Sequence, residues 1–428
     1  MDRDQPRSPA RRHLLAGAAG LAAAAALPSG GQAQAQAQAQ PPAPAEAPLL
    51  IPFEGVHQAG IATPQPYAGL VAAFDLLVES RGELRELFAL LTDRARFLTQ
   101  GGRPPELDPR FPPADSGILG PEIKPERLTV TVSVGASFFD ERFGLGRLCP
   151  PELVAMPDFP NDALEAERCH GDLLLQLCAE TPEETLHALR DIIKHTPDTL
   201  SLRWKQEGFA STHGQRRSKP IGAGRNLLGF KDGTANPDIA DAAEMARIVW
   251  CDGPGWMAGG SYQVVRLIRN YVERWDRTPL GEQQAIFGRQ RDSGAPLGRS
   301  DEFDDPAYAD DPGGARIPLD AHIRLANPDG RRGLASPLIR RAFNYSNGAT
   351  LSGQLDMGLL FICYQNSLRD GFVAVQQRLN GEPLEEYIKP FGGGYFFALP
   401  GVQGPDAILG DTLLREAGIS ALPTQKEG

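Results

Sequence analysis

The sequence predicts an α+β chain of two similar halves, and three observations carry that reading. Leu128–Val134 alternates and is rich in β-branched residues, the pattern of a strand. Asp172–Cys178 is a second apolar strand. A helix follows it through Ile193, with Thr181 as its N-cap and Pro182 at its first position. Gly358–Tyr364 and Ser367–Leu379 repeat the strand and the helix. Setting Cys178 on Cys363 aligns Leu174 with Leu359, Leu175 with Leu360 and Leu177 with Ile362. Strand-then-helix pairs are common, so this repeat is a weak sign by itself.

Ahead of these elements, residues 1–47 stand apart. Arg11-Arg12 precede a weakly apolar run from Leu14 to Leu27, and Ala-Gln repeats and a Pro/Ala stretch follow. The apolar run is about 21 Å long as a helix, short of the roughly 30 Å hydrocarbon core. A basic start, an apolar middle and small residues at the end form an export signal, and the arginine pair points to the twin-arginine (Tat) route into the periplasm. Residues 66–98 read as a helix, with Leu70, Phe74, Leu77, Leu84, Leu87, Leu90 and Leu91 at helical spacing. The polar stretch Thr212–Gly224 places a boundary near 215. The expected units are therefore 1–47 (signal and linker), 48–215 and 216–428. Gly281–Pro318 reads as a long loop carrying Asp301, Glu302, Asp304, Asp305, Asp310 and Asp311, and a solvated loop is favoured there over a cation site.

Composition closes off several functions. Of 428 residues, 41% are hydrophobic and 23% charged, which excludes wholesale disorder. A net charge of -11 argues against a nucleic-acid binder. No run of about 20 apolar residues follows the N-terminus, so no stable membrane insertion is expected. Five cysteines with no C-x-x-C exclude a zinc ribbon, a thioredoxin-type pair and covalent c-type haem. Most of them sit in apolar strings and read as packing residues.

Few residues suggest chemistry by themselves. No H-x-x-x-H or H-E-x-x-H pair occurs among the seven histidines, so a zinc hydrolase is poorly supported. His187 and His195 read as surface or helix-end residues. His322 stands in what reads as an extended segment, Leu319–Pro328. Gly229–Pro237 (Gly-Phe-Lys-Asp-Gly-Thr-Ala-Asn-Pro) is the densest motif, and its plain alternative is a pair of turns. Ile339–Tyr345 places Arg340 and Arg341 after an apolar lead. One guanidinium could neutralise an oxyanion; the plain alternative is a structural ion pair.

Taken in order, His57–Ile61, Gly229–Pro237 with its G-x-x-D-G core, Asp320–Arg324, Arg340–Tyr345, Gly358–Gln365 and Gly392–Gly401 resemble the dye-decolorizing (DyP-type) peroxidases. The resemblance covers nearly all of the chain after Pro52. It is greatest to the Tat-exported deferrochelatase/peroxidase branch of bacterial ferrous-iron uptake systems. It implies two ferredoxin-like halves with antiparallel sheets. It also implies one non-covalent haem b in the C-terminal half, ligated by His322. Asp232, Gly233 and Thr234 would lie on the opposite, distal side of the haem with Arg340, which matches the distal arginine better than Arg341. Asp232 would shuttle a proton of hydrogen peroxide and Arg340 would stabilise charge on the departing oxygen. Haem, ferrous iron or small reducing molecules would be substrates, with partners in an iron-uptake system and a homodimer as the assembly. An acid that members often place after the F-x-x-Y segment is replaced here by Asn366-Ser367, with Asp370 and Asp356 nearby, so the group orienting His322 stays open. The rival functions are a haem carrier without turnover and an exported binding module.

Overall fold

The computed structural model describes residues 50–211, 224–252, 255–330 and 336–419. The expected signal and linker and the 215/216 boundary lie outside these residues. The strands are β1 (Ala68–Leu76), β2 (Thr129–Gly135), β3 (Leu173–Ala179), β4 (Leu200–Phe209), β5 (Gly224–Arg225), β6 (Lys231–Asp232), β7 (Ser261–Asn270), β8 (Ile339–Arg340), β9 (Phe343–Ala349), β10 (Leu355–Gln365) and β11 (Ile388–Ala398). The helices are α1 (Arg81–Gln100), α2 (Pro182–His195), α3 (Ala242–Ile248), α4 (Val272–Trp275), α5 (Leu280–Phe287), α6 (His322–Ala326), α7 (Ala374–Leu379) and α8 (Asp411–Glu416).

The strands pair antiparallel in the order β7-β11-β2-β3-β1-β4-β9-β10, and β10 pairs back onto β7, so the sheet closes into a barrel. This is the expected α+β class with antiparallel pairing. Side-chain alternation divides the strands between two apolar layers. Val71, Ala73, Leu174, Cys178, Val265, Leu267, Leu360, Ile362 and Phe396 fill the barrel interior. Leu70, Ala72, Phe74, Val130, Val132, Leu173, Leu175 and Leu177 face outward, against Leu84, Leu87, Phe88, Leu91 and Leu98 of α1 and Ala188, Leu189 and Ile192 of α2.

Several expectations are corrected. Residues 66–98 are not one helix but β1 followed by α1. Ser80 caps α1 with a reciprocal Glu83 bond, which fixes the start that apolar spacing alone put too early. Leu319–Pro328 is not extended, because α6 occupies its middle. Gly281–Pro318 opens with most of α5. His187 is no surface residue; it is fully buried, with Nδ1 2.7 Å from Ser116 Oγ. All five cysteines are free and four are buried, as packing residues should be.

Candidate active site

The outer face of β7, β10 and β11 is roofed only by short helices and loops, and a cavity opens there. Ile268 of β7, Leu359 and Phe361 of β10, and Ile388 and Pro390 of β11 floor it. Phe287 of α5, His322 of α6, Val375 and Leu379 of α7, residues 231–236 of the Gly-rich motif and the 302–308 loop complete the wall. Asp232, Gly233, Thr234, His322 and Arg340, the five residues marked in the sequence, all line this one cavity.

His322 opens α6, and Glu382 holds its ring. Nδ1 lies 2.8 Å from Glu382 Oε2 and 3.1 Å from Oε1. Among the described residues no hydrogen bond engages Nε2. Phe287 meets the imidazole edge-on at 5.9 Å. Burial pushes the histidine pKa down, but the charge and hydrogen bond of Glu382 outweigh it, so the net shift is upward. Arg340 and Asp232 also act on this ionisation, so all three groups share one electrostatic environment.

The orienting group was therefore none of those near Asn366. Asn366 donates to the Arg247 carbonyl and Ser367 donates to Glu152. Asp370 is exposed, and Asp356 acts on Tyr345 instead. Glu382 is 60 positions from His322 and precedes Pro383 in an ordinary turn context, so spacing offered no signal for it.

On another part of the wall, Asp232 sits on the two-residue β6, paired to β5. Gly233 follows at φ +103°, a backbone state that L side chains rarely adopt. Arg340 Nη1 donates to Asp232 Oδ1 at 2.7 Å. β8 and β9 both pair with β10, joined by an irregularity at Arg341 and Ala342. Neighbouring side chains on such extended backbone point oppositely. Arg340 thus lines the cavity, while Arg341 is buried and donates to the carbonyl of Thr63 at 2.5 Å.

The long acidic loop joins this wall as well. Glu302 is buried, accepts from Thr234 Oγ1 at 2.9 Å and pairs with Lys231 at 3.3 Å. Asp311 is also buried and accepts backbone N–H bonds from Ala315, Arg316 and Ile317. The solvated reading holds only for the exposed Asp301, Asp305 and Asp310.

Two family descriptions match the chain: "Dyp-type peroxidase, N-terminal" over residues 58–210 and "Dyp-type peroxidase, C-terminal" over residues 223–403. The chain belongs to the DyP-type peroxidase family. It is 55% identical over 419 residues to a deferrochelatase of Shigella sonnei, covering 97% of this chain and 99% of that one. It is 58% identical over 372 residues to the deferrochelatase of Escherichia coli strain K12, covering 85% and 87%. Among solved structures, ferric DtpA from Streptomyces lividans matches at TM-score 0.76 and 34% identity, covering 87% of this chain and 98% of that one. A DyP-type peroxidase from Cellulomonas bogoriensis matches at TM-score 0.76 and 34% identity, covering 86% and 99%.

The protein is therefore a haem-dependent peroxidase of α+β, ferredoxin-like DyP architecture, and its cofactor is haem b. Membership of an enzyme family removes the carrier and binding-module alternatives. The residues present fit the cofactor. A porphyrin would itself supply four nitrogens to its iron, so the protein need offer only one further ligand, and an imidazole fixed by a second partner suits that role. Among the described residues no group of three or more His, Cys, Asp and Glu could hold a bare metal ion. One imidazole tied at Nδ1 stands instead in a cavity with an apolar floor and a partly polar wall.

Proposed function

We propose that the chain is a periplasmic, Tat-exported DyP-type peroxidase whose task is iron acquisition from haem. The observation carrying the site assignment is that His322, tied at Nδ1 by Glu382, shares a cavity with the Asp232–Arg340 pair. His322 would hold the haem iron through Nε2, as a neutral ligand with its other nitrogen donating to Glu382. Gly233 and Thr234 would shape the distal pocket beside Asp232. When bound, haem b supplies the redox chemistry: two-electron reduction of hydrogen peroxide and one-electron withdrawal from substrates.

The chain's own residues move and balance the proton. Asp232 Oδ1 is engaged by Arg340, and no hydrogen bond is made by Oδ2 among the described residues. Oδ2 is the atom that takes a proton from one peroxide oxygen and returns it to the other. The Arg340 guanidinium directs the carboxylate by its hydrogen bond to Oδ1, and its fixed charge offsets the negative charge that grows on the departing oxygen. Apolar side chains such as Leu359 and Phe361 keep the surroundings at low dielectric, where that charge acts more strongly.

The iron role rests on the relatives named deferrochelatase at 55–58% identity. The proposed reaction is release of ferrous iron from haem, two protons replacing the metal on the porphyrin nitrogens and the macrocycle left whole, and oxidation of ferrous iron or small reductants by peroxide is its companion activity. The export route rests on Arg11-Arg12 and the run after them. No helix among the described residues is long and apolar enough to cross a membrane. Partners in a ferrous-iron uptake system and a homodimeric assembly complete the proposal, as do an N-terminal ferredoxin-like domain at 48–215 and a C-terminal, haem-binding one at 216–428.

Stopped-flow mixing of the ferric protein with peroxide tests the distal roles. Arg340→Leu should slow the Soret change about 100- to 1,000-fold with haem still bound. Asp232→Asn should slow it about 100- to 10,000-fold. Wild-type rates in both variants would refute the assignment. Incubation with haem, followed by porphyrin fluorescence and a ferrous-iron chelator, tests the iron role. Equal release of iron-free porphyrin and iron supports it; haem returned intact contradicts it.

A further inference from the structure

The distal pair is held by more than its own ion pair. Asn236, four positions after Asp232, makes two hydrogen bonds to the backbone of Arg340. Its Nδ2 donates to the Arg340 carbonyl at 2.7 Å, and its Oδ1 accepts from the Arg340 N–H at 3.1 Å. β8 ends the strand order, and Arg340 sits opposite Cys363 of β10. The Asn236 amide thus occupies the place of a neighbouring strand, answering both polar groups of one edge residue. Asn236 N–H closes a turn onto the Gly233 carbonyl at 2.9 Å, and Pro237 restrains the residue before it. The carboxylate is therefore joined to the turn and the turn to the guanidinium's backbone, closing a ring from Asp232 through Asn236 to Arg340.

We infer that Asn236 is a positioning residue, setting the place of the Arg340 guanidinium relative to Asp232 and the cavity. The inference rests on the distal reading of Asp232 and Arg340 given above. It gives a purpose to the Asn-Pro end of the Gly229–Pro237 motif, which two ordinary turns would not require. Displacement of a catalytic group by about 1 Å can cost on the order of 100-fold in rate. Asn236→Ala removes both bonds while leaving the ion-pair atoms in place, so a loss of roughly 10- to 100-fold is expected.

Two readouts test it on the full chain. In the haem-free protein, amide exchange at Arg340 should quicken at least roughly 10-fold in Asn236→Ala, because its N–H loses its acceptor. In the haem-loaded protein, peroxide stopped-flow is run on Asn236→Ala, Arg340→Leu and the double variant. The double variant should react like Arg340→Leu alone, because a residue acting through Arg340 has nothing left to position. Asn236→Asp keeps the acceptor and shape and loses the donor; its expected rate is intermediate, and it replaces Asn236→Ala if that variant does not fold. A wild-type rate in the Asn236 variant beside a slow Arg340→Leu overturns the positioning role alone. So does an equal further loss in the double variant. A wild-type rate in Arg340→Leu overturns the distal reading together with it.

Discussion

β1 to β3 and the trio β7, β10 and β11 belong to one barrel, and apolar side chains of β1, β3, β7, β10 and β11 meet in its interior. Their outer faces differ. Over β1 to β3 lie α1, of 20 residues, and α2, of 14, and the interface is packed with Leu, Phe and Val. Over β7, β10 and β11 the helical cover comes from α5, α6 and α7, of 8, 5 and 6 residues, and α7 is entered through a π-turn with non-helical Gly371. Long helices present a continuous apolar stripe and leave no room. Short ones with irregular connections leave a cavity and place their ends, including His322, around it. The same sheet is thus closely packed on one side and carries the candidate site on the other.

That contrast can be broken at either side. Phe88 of α1 is fully buried and packs edge-on against Phe138 at 6.0 Å. Phe88→Ala should cost about 3–5 kcal/mol of stability. Denaturant unfolding of the haem-free protein measures it, and the peroxide rate per bound haem should stay at the wild-type value. A slowed rate with unchanged stability would erase the distinction. The opposite signature is expected of Glu382→Gln, which keeps the shape but weakens the partner of His322. Haem affinity should fall roughly 10- to 100-fold. Transfer of haem to an apo-globin reports the loss. Unchanged transfer rates would show that the contact at 2.8 Å does not support the ligand.

A smaller effect sharpens the stability side. Burial raises the Glu184 carboxyl from 4.5 to about 7, although Glu126 N–H donates to it at 2.6 Å. A raised acid pKa means that the folded protein holds the proton more tightly than the unfolded chain does. Stability is then full below about pH 4.5 and is lost as pH rises to about 7. Glu184→Gln should remove this dependence, being about 1 kcal/mol more stable than wild type at pH 8 and equal at pH 4. Melting temperatures at the two pH values decide it, and a variant less stable at pH 8 would contradict the sign.

Candidate site residues could be picked from the sequence where a short motif holds them. Asp232 sits in a Gly-rich turn, His322 follows the loop, and Arg340 ends an apolar lead; the cavity unites all three. β2, β3, β10 and α2 also followed from alternation, apolar runs and the Thr181-Pro182 cap. β1 did not, because Ala68–Leu76 is buried on both faces and shows no period of two. Glu382 and Glu302 were not legible as members of the wall. A carboxylate's partner is decided by tertiary packing, and neither lies at a fixed sequence spacing from the group it serves. Closure of the barrel depends on β10 meeting β7, a pairing that each strand's own pattern leaves unspecified.

In the proposed site His322 holds the haem iron through Nε2. Haem titration of the apo-protein, followed in the Soret region, tests it directly with His322→Gly and added imidazole. Wild type should bind one equivalent with a histidine-ligated spectrum. His322→Gly should lose that spectrum and regain it when free imidazole enters the space the side chain has left. A His322→Gly protein that binds one equivalent with the wild-type spectrum, without imidazole, would contradict the account.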